Sequence, residues 1–401
     1  MIFFSFLEKY HQKSLDYSLA LLVFFVPLSY ALPNILLIPA GLFYIYKIYL
    51  KKRVNFSLPW LLGFFLLLLI LVLAFVHGDL ISEIDFQKKF ITALLVILLI
   101  KEVSKLRLIE ISFVIGVITA ILYNLGHIAF KYYQGINLDF SFGTSVYELL
   151  LFNRPYLAFL TVLANFIIFK WIRKNGSAKY YLLGLLPIAF CFFITARLGM
   201  VLHVLLIFHH IFRSSQQIKF KHILLSVLIC GIFGFILLKN PYLKERFRIQ
   251  SNFSETYKKY RAYEIRFIIW ECSFETLADN WGFGIQSHEN LIPVMTDCYV
   301  SKIEPHRTKK INYYKNEKFN THNQFLDIWL IAGLPGLSIL IAVFIVPFIK
   351  QKKYSEMLTV LVLFFLFMLV ENIFQRQIGC FLFGIFMGLY APKDVQLTWS
   401  K

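Results

Sequence analysis

The chain has 401 residues, of which 58% are hydrophobic, 18% aromatic and only 16% charged, with mean hydropathy +0.66; this excludes an ordinary soluble globular protein and fits an integral membrane protein. A net charge of +18 in a soluble chain would point to nucleic acid, but here the basic residues lie between apolar runs, where membrane orientation and anionic lipid account for them, so no nucleic-acid partner is expected. Cys191, Cys230, Cys272, Cys298 and Cys380 show no CxxC or metal-ligand spacing, so no metal site is expected.

The first apolar run begins near Leu15 and no small-residue cleavage site follows it, so no cleavable signal peptide is read. Helical spans are predicted at Leu15–Leu32, Pro33–Leu50, Pro59–Val76, Phe86–Ile100 and Leu108–Phe130. Further ones follow at Tyr156–Ile172, Tyr180–Thr195, Leu198–Phe212, His222–Leu238, Gln324–Ile349, Glu356–Val370 and Ile378–Tyr390. That is an all-α polytopic bundle of about twelve spans, each close to the roughly 17–25 residues that cross a bilayer.

The loops test this reading. Positive clusters recur on every second connection, at Lys51 to Arg53, Lys101 to Arg107, Lys170 to Lys174, Arg213 to Lys221 and Lys350 to Lys353. The intervening loops, such as Glu371 through Gln377, are acidic or mixed, which makes both termini cytoplasmic. The same alternation splits Tyr180 to Phe212 into a two-helix hairpin and puts Arg197 at its external turn. There it either serves a site or snorkels to lipid phosphate.

The one long connection, 240–323, is external. It divides the chain into a bundle over 1–239, a loop over 240–323 and a closing bundle over 324–401. Within it Tyr260, Tyr263, Phe267, Trp270, Phe274 and Leu277 recur at helical spacing, which predicts an amphipathic helix over Tyr260–Ala278 resting on the bundle or the membrane interface, with Arg266 beside the apolar stripe. Gly282 and Gly284 then bracket an aromatic in a tight turn. Cys272 and Cys298 share this loop, and an oxidising compartment permits a disulfide between them. Sequence leaves its geometry open.

At 320–324 the polar loop turns into an apolar helix. Asn320 or Thr321 can cap that helix, which sets His322 near a positive helix end that disfavours the imidazolium. A neutral imidazole at a water–membrane boundary can accept a proton. The plainer reading of the segment alone is a capping or lipid-interface histidine.

Together these pieces resemble the O-antigen ligase and polymerase family of membrane glycosyltransferases. The resemblance rests on Thr321-His322-Asn323 with Gly333-Leu334-Pro335-Gly336-Leu337, on Arg266 and Trp270 followed by Gly282 and Gly284, and on Thr195-Ala196-Arg197-Leu198-Gly199, which departs from the family's turn at Ala196 and Leu198. Asn153-Arg154-Pro155-Tyr156 echoes a further family loop imperfectly. The resemblance implies a GT-C-like bundle in the bacterial inner membrane, with a periplasmic site and no cofactor. It also implies a metal-independent, inverting transfer from a polyprenyl diphosphate-linked glycan donor to lipid A-core or a similar acceptor, among membrane lipids. His322 is then the expected catalytic base and Arg197 and Arg266 the diphosphate-binding cations, with Asn323, Gly284 and Arg154 in support. A polymerase using the same donor is the alternative within this class. A transporter or flippase for the same lipid is the alternative outside it, disfavoured because the charges gather at the external ends of the spans.

Overall fold

The computed structural model describes residues 2–77, 83–136, 149–175, 179–214, 265–317, 320–350, 356–392 and 395–398, with residues 239, 252, 254 and 255 besides. The helices in chain order are α1 (Ile2–Phe25), α2 (Leu32–Lys51), α3 (Leu58–Val76), α4 (Ile84–Lys101), α5 (Leu106–Tyr133), α6 (Arg154–Asn175), α7 (Lys179–Phe193) and α8 (Arg197–Ser214). They continue with α9 (Ile265–Asn280), α10 (His288–Ser301), α11 (Thr308–Glu317), α12 (Gln324–Lys350), α13 (Glu356–Met368) and α14 (Gln377–Tyr390). A helix stands at each predicted span except 222–238, which lies outside the described residues, as do Tyr260 and Tyr263. Among the described residues, α2, α3, α5 and α6 are long and apolar enough to cross a membrane, as is α12 when its length is taken across the break at Gly333.

The chain forms two compact units. The first comprises residues 1–15, 38–104 and 257–401. Its α4 and α14 run parallel. The rings of Phe90 and Phe374 meet at 4.6 Å near one end, and a Cβ on Gly388 would lie 2.7 Å from Ile100 at the other. Gly384 fits as closely against Val96, so two glycines four residues apart let the helices approach as small residues do in membrane bundles.

The basic end of this unit is tied by polar contacts. Strands β1 (Arg53–Phe56) and β2 (Val395–Thr398) pair antiparallel, with Arg53 opposite Thr398. Glu102, buried, binds Lys47 at 2.6 Å and also accepts from Asn55, while Lys101 donates to the Ala391 carbonyl. These buried charges are paired, as burial demands.

The second unit comprises residues 16–37 and 105–256. Its centre is α6, of whose apolar window 89% is buried. Gly199 of α8 packs on Ala158 and Cys191, where a Cβ would come within 2.6 Å and 2.7 Å. Helices α7 and α8 are separate, as the charge alternation requires.

The predicted span Gln324–Ile349 is two elements rather than one rod. At Gly333 the backbone leaves the helix, with φ 60° and ψ −162°. In a straight helix Phe325 and Phe344 would be about 28 Å apart, yet their rings lie 5.9 Å apart. The arm before Gly333 therefore folds back beside the arm after it. Pro335, which lacks an N–H to bond, opens the second arm. Gly336 admits the close approach, since a Cβ there would meet Ile328 at 3.2 Å.

Leu326, Leu330 and Ile331 of the first arm share a core with Ile268, Ile269, Cys272 and Leu277 of α9, with α10 and with Tyr314 of α11. Cys272 and Cys298 form a disulfide that ties α9 to α10. Helix α9 starts at Ile265 in the described residues, and its packed face is Ile268, Ile269, Cys272 and Thr276. Of the described residues of the expected stripe, Leu277 is buried in that core and Trp270 packs against it, while Phe267 and Phe274 are exposed.

Candidate active site

The turn that carries His322 is built from side chains able to bond backbone. Asn323 is the cap of α12, its Oδ1 accepting from the N–H groups of Phe325 at 3.0 Å and Leu326 at 3.1 Å. This corrects the expectation that Asn320 or Thr321 caps. Those two work one step upstream, Asn320 accepting from the His322 N–H at 3.1 Å and Thr321 from that of Asn323 at 3.3 Å. Between them His322 takes φ 47°, a left-handed conformation that costs roughly 1–2 kcal/mol in a residue with a Cβ.

The surroundings over-determine that turn. The Trp270 indole donates to the Thr321 carbonyl at 2.9 Å, and the Asn320 amide donates to Gln375 at 2.8 Å. Gln324 accepts from the Phe374 N–H at 2.8 Å, and Gln375 donates to both oxygens of Asp327 at 2.8 Å. A strained residue persists only where neighbours hold it in this way.

Glu371, in the connection between α13 and α14, joins two of the predicted site residues. Its Oε1 lies 2.5 Å from the Nη2 of Arg266, and its Oε2 lies 3.7 Å from the Nδ1 of His322. The second distance is within reach of an ion pair but longer than a hydrogen bond. Burial, the largest influence, would push the Glu371 carboxyl up, yet the interactions with His322 and then with Arg266 outweigh it and hold the carboxyl below its ordinary value. Arg266 keeps an unused donor: its Nε is buried and has no hydrogen-bond partner among the described residues. Sequence reasoning left the group that orients His322 unassigned. Glu371 carried a signal only as the acidic start of an external loop.

Gly282, Gly284 and Gly333 make one device. The turn after α9 inserts into the break in α12, where the N–H of Ile285 donates to Leu330 at 2.6 Å, that of Gln286 to Ile331 at 3.0 Å, and that of Leu334 to Gly282 at 3.0 Å. Carbonyls freed by the kink are thereby satisfied, which a low-dielectric setting requires. Gly284, at φ 72°, has no room for a side chain, because a Cβ would lie 2.5 Å from the Leu330 carbonyl.

The remaining predicted residues belong to the second unit. Helix α7 ends in a Schellman turn, with Ala196 donating to Cys191 at 3.2 Å and Thr195 to Phe192 at 3.0 Å. Thr195 occupies the left-handed position at φ 53°, where glycine is usual. Arg197 is the first residue of α8, so its charge stands at the end of a helix that favours anions. Arg154, buried in the first turn of α6, donates to the Thr195 hydroxyl at 3.4 Å.

Residues 149–341 match the family described as O-Antigen ligase. The matched segment contains Arg154, Arg197, Arg266 and His322, and it ends before Glu371. No curated protein matches the chain.

Proposed function

We propose, from the match of residues 149–341 to the O-antigen ligase family, that the chain is a multi-pass inner-membrane protein with ligase-like or polymerase-like activity. The proposed reaction is transfer of a glycan from a polyprenyl diphosphate donor to lipid A-core or a similar acceptor at the periplasmic face. The observation that carries it is the chain of contacts from Arg266 through Glu371 to His322 at the loop-to-helix boundary.

Nδ1 of His322 faces the carboxylate, so Nε2 is the nitrogen assigned to the acceptor. The acceptor hydroxyl attacks the anomeric carbon and its proton passes to Nε2, while the bond from that carbon to the diphosphate oxygen breaks and the diphosphate leaves with the electron pair. Attack from the opposite side inverts the anomeric centre. A positioned base contributes typically 10²–10⁴-fold.

Negative charge grows on the leaving diphosphate, and a guanidinium fork meets phosphate oxygens with two hydrogen bonds and keeps its charge. Arg266 is assigned this role on its unused Nε, and Arg197 on its place at the start of α8, with Arg154 bracing that turn. With arginine supplying the positive charge, the proposed transfer runs without a metal ion.

Two observations support the periplasmic assignment. The Cys272–Cys298 disulfide suits an oxidising compartment. Arg53, Lys101, Ala391 and strand β2 lie at the opposite end of α4 and α14, as cytoplasmic basic segments should.

The test is complementation of a strain deleted for this gene. Wild type restores long chains on lipid A-core, while His322→Ala and Arg266→Ala, present in the membrane at wild-type level, do not. Single repeats on lipid A-core in the deletion strain assign the polymerase reaction instead. Near-normal transfer by either variant rejects the assignment.

A further inference from the structure

Glu371 stands between a cation and a base and serves them unequally. Its Oε1 is closed on Arg266 at 2.5 Å, whereas its Oε2 stops at 3.7 Å from His322, nearly 1 Å beyond the usual hydrogen-bond length of about 2.9 Å. The carboxylate is buried, so it needs a partner in every state of the protein; an unpaired buried charge is strongly unfavourable. The arginine is less committed. Its Nε has no hydrogen-bond partner among the described residues, and a diphosphate offers more charge and more acceptor oxygens than one carboxylate does.

We propose that Glu371 is a positioning residue that couples donor binding to the base: a diphosphate draws Arg266 away, and the carboxylate closes onto the Nδ1 of His322. The proposal rests on the reading of Arg266 and His322 given above and adds an order of events to it. Before the donor arrives, Glu371 is spent on the guanidinium and its Oε2 stays 3.7 Å from the imidazole. Once phosphate oxygens occupy the guanidinium, Glu371 moves by about 1 Å to a hydrogen bond with Nδ1–H. That bond fixes the tautomer with Nε2 open to the acceptor proton and stabilises the imidazolium that forms.

The backbone turn does not have to move. Trp270 from α9 and Phe374 and Gln375 from the connection after α13 hold it, so the adjustment is confined to two side chains. The base thereby gains its carboxylate hydrogen bond when there is a donor to attack.

The test compares wild type with Glu371→Gln in two measurements on purified full-length protein. Binding of inorganic pyrophosphate, followed by calorimetry, reads Arg266 without any transfer. Transfer kinetics with a defined diphosphate-linked donor read His322. The amide releases Arg266 from its competitor and deprives His322 of its anion, so pyrophosphate binds several-fold tighter while kcat falls about 10²-fold or more with donor KM not raised. The double variant Glu371→Gln with His322→Ala transfers no more slowly than His322→Ala alone.

Weaker pyrophosphate binding in Glu371→Gln, or unchanged kcat, overturns the coupling, as does failure of wild type to bind pyrophosphate at all. Tight pyrophosphate binding by a wild type that transfers no glycan instead overturns the transferase reading and leaves the exchange at Arg266 to be judged by the binding arm. If Glu371→Gln is not recovered as a folded protein, Glu371→Asp serves: it keeps the charge near Arg266, so pyrophosphate affinity stays at the wild-type level, but it loses reach to His322, so kcat falls. Parallel losses of affinity and kcat in that variant reject the proposal.

Discussion

Replacing Gly333 by alanine tests the joint between the cap formed by α9, α10 and α11 and the arm that carries His322. The new Cβ would lie 2.3 Å from the Gly282 carbonyl oxygen and 2.5 Å from the Phe283 Cα, which are backbone atoms that cannot rotate aside. The inserted turn must therefore withdraw, and the three backbone hydrogen bonds from Ile285, Gln286 and Leu334 go with it. At about 1 kcal/mol net each, they account for about 3 kcal/mol. A backbone conformation essentially reserved for glycine adds about 1–3 kcal/mol. The sum of roughly 4–6 kcal/mol is comparable to the stability of a whole domain. Gly284→Ala should behave alike, since its Cβ would meet the Leu330 carbonyl at 2.5 Å.

Gly282→Ala is the control. Nothing lies within 4 Å of a Cβ at that position, although it belongs to the same short motif. Limited proteolysis of the cap in detergent, with glycan transfer in a deletion strain alongside, reads the effect. Gly333→Ala and Gly284→Ala should expose the cap to protease and lose transfer while Gly282→Ala matches wild type. A protected, active Gly333→Ala, or a Gly282→Ala as damaged as the others, refutes the reasoning.

Cys272→Ser with Cys298→Ser opens a loop of 26 residues, which loop-closure entropy values at about 3.5 kcal/mol; the pair should lower the thermal midpoint and speed proteolysis of the cap, and an unchanged midpoint contradicts this. Glu371 contributes stability with a defined sign. Because its folded value is held below the ordinary one, the contribution is complete above the ordinary glutamate range near ~4.3 and is lost as pH falls through the lower folded value. Wild type should therefore lose thermal stability through that acid window by more than Glu371→Gln does, as melting curves at stepped pH will read; parallel curves contradict it. Thr195→Gly relieves the left-handed penalty of roughly 1–2 kcal/mol against a glycine entropy cost of about 0.5–1 kcal/mol. The variant should be as stable as wild type or slightly more so, yet transfer less, because Arg154 loses its hydroxyl partner; a lower melting point counts against the strain argument.

The helices were readable because an apolar run of bilayer length is a local property, and α7 and α8 were separable because basic loops alternate. The site was readable in halves. His322 at the head of an apolar run and Arg266 four residues before Trp270 are local patterns, and the structure links both to Glu371. Glu371 was not, since its partners lie 49 and 105 residues away in sequence and nothing around it marks it from other loop carboxylates. Gly333 and Pro335 announce a break, but only tertiary structure shows that Gly282 and Gly284 fill it. The cap of α12 was misplaced because Asn320, Thr321 and Asn323 are all capping residue types, and the left-handed turn at His322 decides among them. The packed face of α9 was not separable in sequence for a related reason: Ile268, Ile269 and Cys272 recur at helical spacing as well as the aromatics do, and composition cannot say which face meets the core.

The most direct test of the account is transfer by the purified protein in defined lipid, with a single polyprenyl diphosphate-linked glycan as donor, lipid A-core as acceptor and EDTA present. The account predicts an inverted glycosidic linkage on the acceptor, lost in His322→Ala and in Arg266→Ala. A wild-type protein that transfers nothing, needs a divalent cation, or works as well without the imidazole contradicts it.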